Sequence, residues 1–162
     1  MNAQFRSVVA LIVSTGSCIL VGASAGLVTA TSVREWYPHI AKPSWTPPGA
    51  VFGPVWSVLY ILMGVSAWLI WRNSTGLTRR RALLIFATQL ALNGVWSFLF
   101  FGLRNPGWAA LEIVLLWSAI VATIFAFARI HRIAAGLLLP YLVWVSIATV
   151  LQLSITWMNW KA

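Results

Sequence analysis

The chain alternates between long apolar runs and short polar connections. Five runs reach the roughly 20 residues that a helix needs to cross the hydrocarbon core of a bilayer. Only one of the five, the fourth in order, contains a charged residue, Glu112 near its start. The pattern therefore predicts an all-α fold, an integral membrane bundle of five transmembrane helices in a single domain. The predicted spans are residues 7–30, 49–71, 82–102, 107–128 and 133–158.

The connections between these runs are short, with one exception. Short links indicate antiparallel neighbours in a tight bundle. The exception is segment 31–48, whose residues Pro38, Pro43 and Pro47 exclude a continuous helix. It is either an interfacial loop anchored by its aromatic rings or a lid that closes over a flat apolar ligand. In the second case Arg34 or Lys42 would meet carboxylates of the ligand.

Composition narrows the class of protein. The chain is 60% hydrophobic, has a net charge of +9 and contains only two acidic residues, which excludes an ordinary soluble domain. The basic residues stand between apolar runs rather than in a stripe, so they indicate membrane topology and not nucleic-acid binding. Seven lie on the amino-terminal side and four on the other, which predicts a cytoplasmic amino terminus and an external carboxyl terminus. An arginine-clustered inner loop without a targeting extension favours a bacterial plasma membrane.

The first run has two interpretations. Arg6, an apolar stretch and Ala23-Ser24-Ala25 are also compatible with a cleaved signal peptide. The uncharged run continues past that point, which favours a retained helix. Small residues recur at every fourth position and predict close packing against another helix. They are Ser14, Cys18, Gly22, Gly26 and Ala30.

Rings and amides lie deep within several of the predicted spans. Trp56 and Tyr60 share one stripe of the second span, roughly 10–15 Å below its outer end at 1.5 Å per residue. Trp144 of the fifth span comes near the same depth. Gln89 and Asn93 lie four residues apart near mid-membrane, where amides must face protein or a cavity. Hydrogen bonding between helices and contact with a ligand are both open for these two amides.

Other positions predict packing. The opposite face of the third span presents Ala87, Ala91 and Gly94, a smooth surface that suits another helix of the same chain or of a second copy. We expect the second case, a homodimer through this face. Glu112 is expected to be structural, with Arg104 within reach. Pro140 is expected to kink the fifth helix.

Several kinds of chemistry are missing from the sequence. There is no paired-carboxylate site, no Ser-His-Asp set and no cluster of metal ligands. The single cysteine, Cys18, allows no internal disulfide. We therefore predict no conventional catalytic residue, no metal and no obligatory cofactor.

Three motifs in order resemble the TspO/MBR family of tryptophan-rich sensory proteins and translocator proteins, also known as peripheral benzodiazepine receptors. They are PSWTPPGAVFGPVWSVLYILMG at 43–64, preceded by Trp36-Tyr37, then LALNGVWSFLFFGLRNPGWA at 90–109, and LLLPYLVWVSIAT at 137–149. The resemblance covers about residues 34–160.

The resemblance implies a five-helix bundle, often a homodimer, that binds porphyrins such as protoporphyrin IX or haem and takes part in tetrapyrrole handling and stress regulation. Some members bind sterols or benzodiazepine-type ligands. The sterol motif near the carboxyl end of animal members is not matched, since Leu153 and Ser154 occupy that region. One alternative is an enzyme that breaks down porphyrin in a light- or oxygen-dependent reaction, with Trp56 and Trp144 as a redox pair. The other is a transporter of porphyrin or sterol. The ligand-binding positions implied by the family are Tyr37, Pro47, Trp56, Tyr60, Gln89, Asn93, Leu99, Trp144 and Ala148.

Overall fold

Six α-helices make up the computed structural model, which describes residues 2–160. Five helical segments are long and apolar enough to cross a membrane, as predicted, with α5 and α6 together forming the fifth. A 3₁₀ turn, Tyr37–His39, lies in the loop after α1, and a π-helical turn, Phe98–Gly102, continues α3. The helices are α1 (Ala3–Glu35), α2 (Gly49–Asn73), α3 (Gly76–Ser97), α4 (Pro106–Ala128), α5 (Arg132–Gly136) and α6 (Leu139–Asn159).

The first helix is longer than predicted and ends at Glu35 rather than at residue 30. No glycine or proline lies between residues 31 and 35 to stop it. The Ser32 hydroxyl donates to the carbonyl oxygen of Phe101 at 2.5 Å, and the N–H of Trp36 donates to Ser32 O at 2.9 Å. The loop therefore begins after Glu35, and its start is fastened to the π-helical turn.

Where a kink at Pro140 was expected, the structure has a break in the helix just before the proline. The fifth segment is interrupted at Leu137 and Leu138, and Pro140 lies in the first turn of α6. A proline costs no hydrogen bond there, because the first turn of a helix has no intrahelical acceptor for its N–H groups.

Contacts between α1 and α2 run from the amino-terminal end of α1 to its middle. The Trp68 indole N–H donates to Ser7 O at 3.0 Å. Gly64 lies so close to the backbone of Thr15 that an added Cβ atom would overlap it, and a Cβ at Gly22 would overlap the Tyr60 ring. These glycines allow the two helices to approach closely, as the small-residue pattern predicted for this half of α1.

Two clusters of buried apolar side chains form the interior. The larger one includes Met63 and Ile70 and the stacked rings of Phe86 and Phe127, whose centroids are 5.8 Å apart. The smaller one contains Phe100, Ala109, Leu151 and Ile155, and the rings of Trp36 and Tyr37 pack against it. The loop is thus part of a separate layer at one end of the bundle, which we call the loop end.

The small-residue face of α3 is partly covered by α1. Ala87 and Ala91 are exposed, whereas Gly94 is half-buried and a Cβ added there would lie 3.4 Å from Val21 Cγ1. The homodimer through Ala87, Ala91 and Gly94 stays a prediction, and any second copy would contact α1 as well as α3.

Enlarging Gly64 should separate α1 from α2. We expect Gly64→Leu to lower the free energy of unfolding by about 1–3 kcal/mol, the usual cost of overpacking a close contact. Gly16→Leu is the matched control, because a Cβ at Gly16 meets no atom of the described chain within 4 Å. Thermal unfolding in detergent, followed by circular dichroism, measures both variants. Equal midpoints for the two would show that the Gly64–Thr15 contact is not tight.

Candidate ligand cavity

A cavity of about 920 Å³ lies at the loop end of the bundle. Small-molecule sites in proteins measure about 300–1,000 Å³, so this one is large for its class. Its lining comes from α1, the loop, α2, α3 with its π-helical turn, α4 and α6. Every membrane-spanning segment therefore contributes to it.

A hydrogen-bonded chain of three buried side chains lies at one wall of the cavity, and two of them, Tyr60 and Asn93, line it. The Tyr60 hydroxyl donates to Asn93 Oδ1 at 2.6 Å, and Asn93 Nδ2 donates to the Tyr141 hydroxyl at 3.2 Å. These bonds join α2, α3 and α6. Asn93 is therefore a helix–helix partner, one of the two roles open from the sequence, and it also lines the cavity.

Aromatic rings pack on this chain and continue the wall. The Trp56 ring stacks on Tyr60, with centroids 5.4 Å apart and planes at 27°, and meets Tyr141 edge-on at 6.1 Å. Phe52 meets Trp144 edge-on at 5.5 Å. Each ring that faces the cavity is thus held by another ring behind or beside it.

Two lining tryptophans have unused hydrogen-bond donors. The indole N–H groups of Trp96 and Trp144 have no acceptor within the described chain. Gln152 Oε1 likewise accepts no hydrogen bond there. Buried polar groups without partners cost free energy.

The loop closes the cavity at the end of the bundle. Tyr37 and Pro47 line it, and the Tyr37 ring packs against Phe100 and Phe101 at centroid distances of 6.2 and 5.9 Å. Burial removes water from the Tyr37 hydroxyl and raises its pKa above the ordinary value, so the phenol stays neutral.

Lys42 fastens this loop. Its Nζ donates to the carbonyl oxygens of Tyr37 at 2.6 Å and Ile40 at 2.8 Å, and it lies 4.8 Å from the centre of the Tyr37 ring. Asn159 adds a second fastening: its Oδ1 accepts from Ala41 N–H at 3.0 Å and its Nδ2 donates to Ala41 O at 2.9 Å. The loop is held as an ordered cover.

The cavity brings together most of the residues that the sequence singled out. Three of them lie elsewhere. Lys42 is turned to the loop carbonyls, Gln89 is buried in α3 without a hydrogen-bond partner in the described chain, and Leu99 packs in the loop-end layer. The predicted residues that line the cavity are Arg34, Tyr37, Pro47, Trp56, Tyr60, Asn93, Trp144 and Ala148.

Other lining residues were missed as site residues. Gly26 and Ala30 were expected to pack against a helix, but both line the cavity. A Cβ atom built on Gly26 would point into open space. Trp96 and Phe100 also line it. They lie three and seven residues after Asn93, on the same face of the helix. This spacing would have predicted them as lining residues.

The expected contact between Arg104 and Glu112 is absent. Arg104 Nη2 lies 3.3 Å from Glu35 Oε2 in an exposed ion pair. Because α1 continues to Glu35, the Glu35 carboxylate lies beside Arg104. The prediction that the helix ends at residue 30 did not include this neighbour. Both carboxyl oxygens of Glu112 are buried and have no hydrogen-bond partner among residues 2–160.

Comparison with known proteins assigns the sequence to a defined family. Residues 14–158 match the model of the TspO/MBR family. The chain belongs to the TspO/MBR family. It is an integral membrane protein, as its five apolar helical segments indicate.

Relatives from bacteria and animals agree with this assignment. The chain is similar to the tryptophan-rich protein TspO of Chlorobaculum tepidum, at 38% identity over 157 residues, 95% of this chain and 98% of the relative. It is 42% identical to the human translocator protein over 120 residues, 73% of this chain and 71% of the relative. The tryptophan-rich sensory protein of Cereibacter sphaeroides is 35% identical over 128 residues, 78% of each chain. This TspO/MBR chain therefore matches its relatives over most of their length.

Proposed function

We propose that this TspO/MBR chain is a membrane receptor of the sensor type that binds porphyrins, such as protoporphyrin IX, in the cavity at the loop end. The observation that carries the proposal is the cavity itself, about 920 Å³ with tryptophans on facing helices. Trp56 on α2 and Trp144 on α6 both line it. Flat aromatic faces favour a planar aromatic ligand, which stacks on them with its apolar surface removed from the membrane.

The polar atoms of the cavity agree with a porphyrin. Trp96 and Trp144 line the cavity and add ring surface for the planar macrocycle. Arg34 lines the cavity at the end of α1 and offers a cation to carboxylates. Lys42 donates instead to loop carbonyls, so Arg34 is the better candidate for contact with propionates.

The proposal extends to the membrane. At the end of the bundle away from the loop, Arg72 lies over the Trp68 ring at 5.5 Å and Arg79 over Trp71 at 4.9 Å. Basic residues beside interfacial tryptophans are typical of a cytoplasmic surface. We place this end in the cytoplasm of a bacterium, and the cavity in the outer leaflet.

Removing both cavity tryptophans should weaken porphyrin binding. We expect Trp56→Ala with Trp144→Ala to raise the Kd for protoporphyrin IX by at least about 30-fold, since stacking on each ring contributes about 1 kcal/mol or more. The absorbance of the porphyrin itself, followed in detergent-solubilised protein, reports the titration without using tryptophan emission. Trp157→Ala is the control, because Trp157 is 85% exposed and does not line the cavity. An unchanged Kd in the double variant would remove the proposed site.

Charge at Arg34 should matter only for a ligand with carboxylates. We expect Arg34→Gln to raise the Kd of protoporphyrin IX by about 3–10-fold at low salt, less at high salt, because an exposed ion pair is screened. The dimethyl ester of the same porphyrin should bind both proteins equally. Lys42→Gln also loosens the loop, so it should affect the free porphyrin and its dimethyl ester equally. A loss at Lys42 confined to the free acid would contradict the assignment to Arg34.

A further inference from the structure

The contact between α1 and α2 ends where the cavity begins. The helices touch at Ser7–Trp68, at Thr15–Gly64 and at Gly22–Tyr60. One turn further along α1, a Cβ on Gly26 meets no described atom within 4 Å, and the same holds for Gly49 and Gly53 on α2. All three glycines line the cavity. The two helices therefore stand apart along the loop-end half of the membrane.

The residues along this gap belong both to the cavity and to the outer surface. Ile19 on α1 and Ile61 on α2 are each 48% exposed, yet both line the cavity. Ala23 and Ser57 are also exposed and also line it. A closed cavity would be lined by buried side chains. The cavity is therefore continuous with the surface that α1 and α2 turn toward lipid.

Other sides of the cavity are closed by direct contacts. Phe52 against Trp144 joins α2 to α6, and Ser32 bonded to Phe101 joins α1 to the π-helical turn. Lys42 and Asn159 hold the loop over the end. Passage through these sides would break hydrogen bonds or ring contacts, whereas passage between Gly26 and Gly53 breaks neither.

We propose that the cavity is loaded sideways from the bilayer, through a portal between α1 and α2 bordered by Gly26 and Gly53. The molecules admitted are planar and apolar enough to dissolve in the leaflet at the loop end. Arg34 lies eight residues beyond Gly26, about 12 Å along the helix at 1.5 Å per residue. Anionic substituents can therefore stay near the membrane interface while the ring system passes between the helices.

The test measures the association and dissociation rate constants separately from the Kd. Its probe is protoporphyrin IX, and this choice rests on the proposed function. The whole protein is placed in lipid vesicles, and association and dissociation are followed by stopped-flow absorbance. Gly26→Phe should lower both the association and the dissociation rate constant about tenfold, because a narrowed portal slows passage in both directions. A side chain that only took up space in the cavity would instead raise the dissociation rate constant. Gly16→Phe, on α1 outside the cavity lining, should leave both rates unchanged.

Two further variants keep the test decisive. Gly53→Phe narrows the other border of the portal and should reproduce the slowing, which covers the case in which Gly26→Phe fails to fold. Asn159→Ala loosens the loop and should leave the rates unchanged. Unchanged rates in both phenylalanine variants, or faster binding in Asn159→Ala, would overturn the portal. A porphyrin that binds normally at equilibrium in these variants keeps the proposed function, whereas no equilibrium binding by the unmodified protein would overturn that function instead.

Discussion

The hydrogen-bonded chain from Tyr60 through Asn93 to Tyr141 is the constraint on which the rest of this structure depends. Within a bilayer, lipid is as apolar as the helices, so burial of apolar surface does little to hold helices together. Polar groups in that environment need partners. The chain supplies them and fixes α2, α3 and α6 relative to one another. The same Tyr60 ring supports Trp56 on one side and Gly22 of α1 on another.

The two halves of the bundle differ because of where this chain lies. Away from the loop, close glycine contacts and stacked rings fill the space between helices. At the loop end, α1 leaves α2 and the space is bounded by rings, by the fastened loop and by the π-helical turn. A π-helical turn adds a residue to the helix and often occurs at functional sites. Here it contributes Phe100 and Phe101 to the cavity wall.

Much of the fold could be predicted from the sequence, because membrane spans are set by length and hydropathy. The end of α1 was predicted too early: no glycine or proline at 31–35 stops the helix, but the bond that holds this turn joins Ser32 to Phe101, a residue 69 positions away. Gln89 and Asn93 show the same limit for the site. They are one helical turn apart and chemically alike, yet only Asn93 finds partners, because the hydroxyls of Tyr60 and Tyr141 lie at its level. Similarly, nothing local distinguishes Arg34 from Lys42; the loop carbonyls that bind Lys42 exist only once the loop has folded.

The most direct test of this account is a double-mutant cycle that measures the coupling free energy between Tyr60 and Asn93. The variants Tyr60→Phe, Asn93→Leu and the pair are compared by equilibrium unfolding in mixed detergent micelles. If the hydrogen bond fixes the helices, the double variant loses less stability than the sum of the single variants, with a coupling of about 0.6–1.7 kcal/mol, the range found for bonds between membrane helices. Strictly additive losses would show that these two side chains do not hold each other, and would contradict the account.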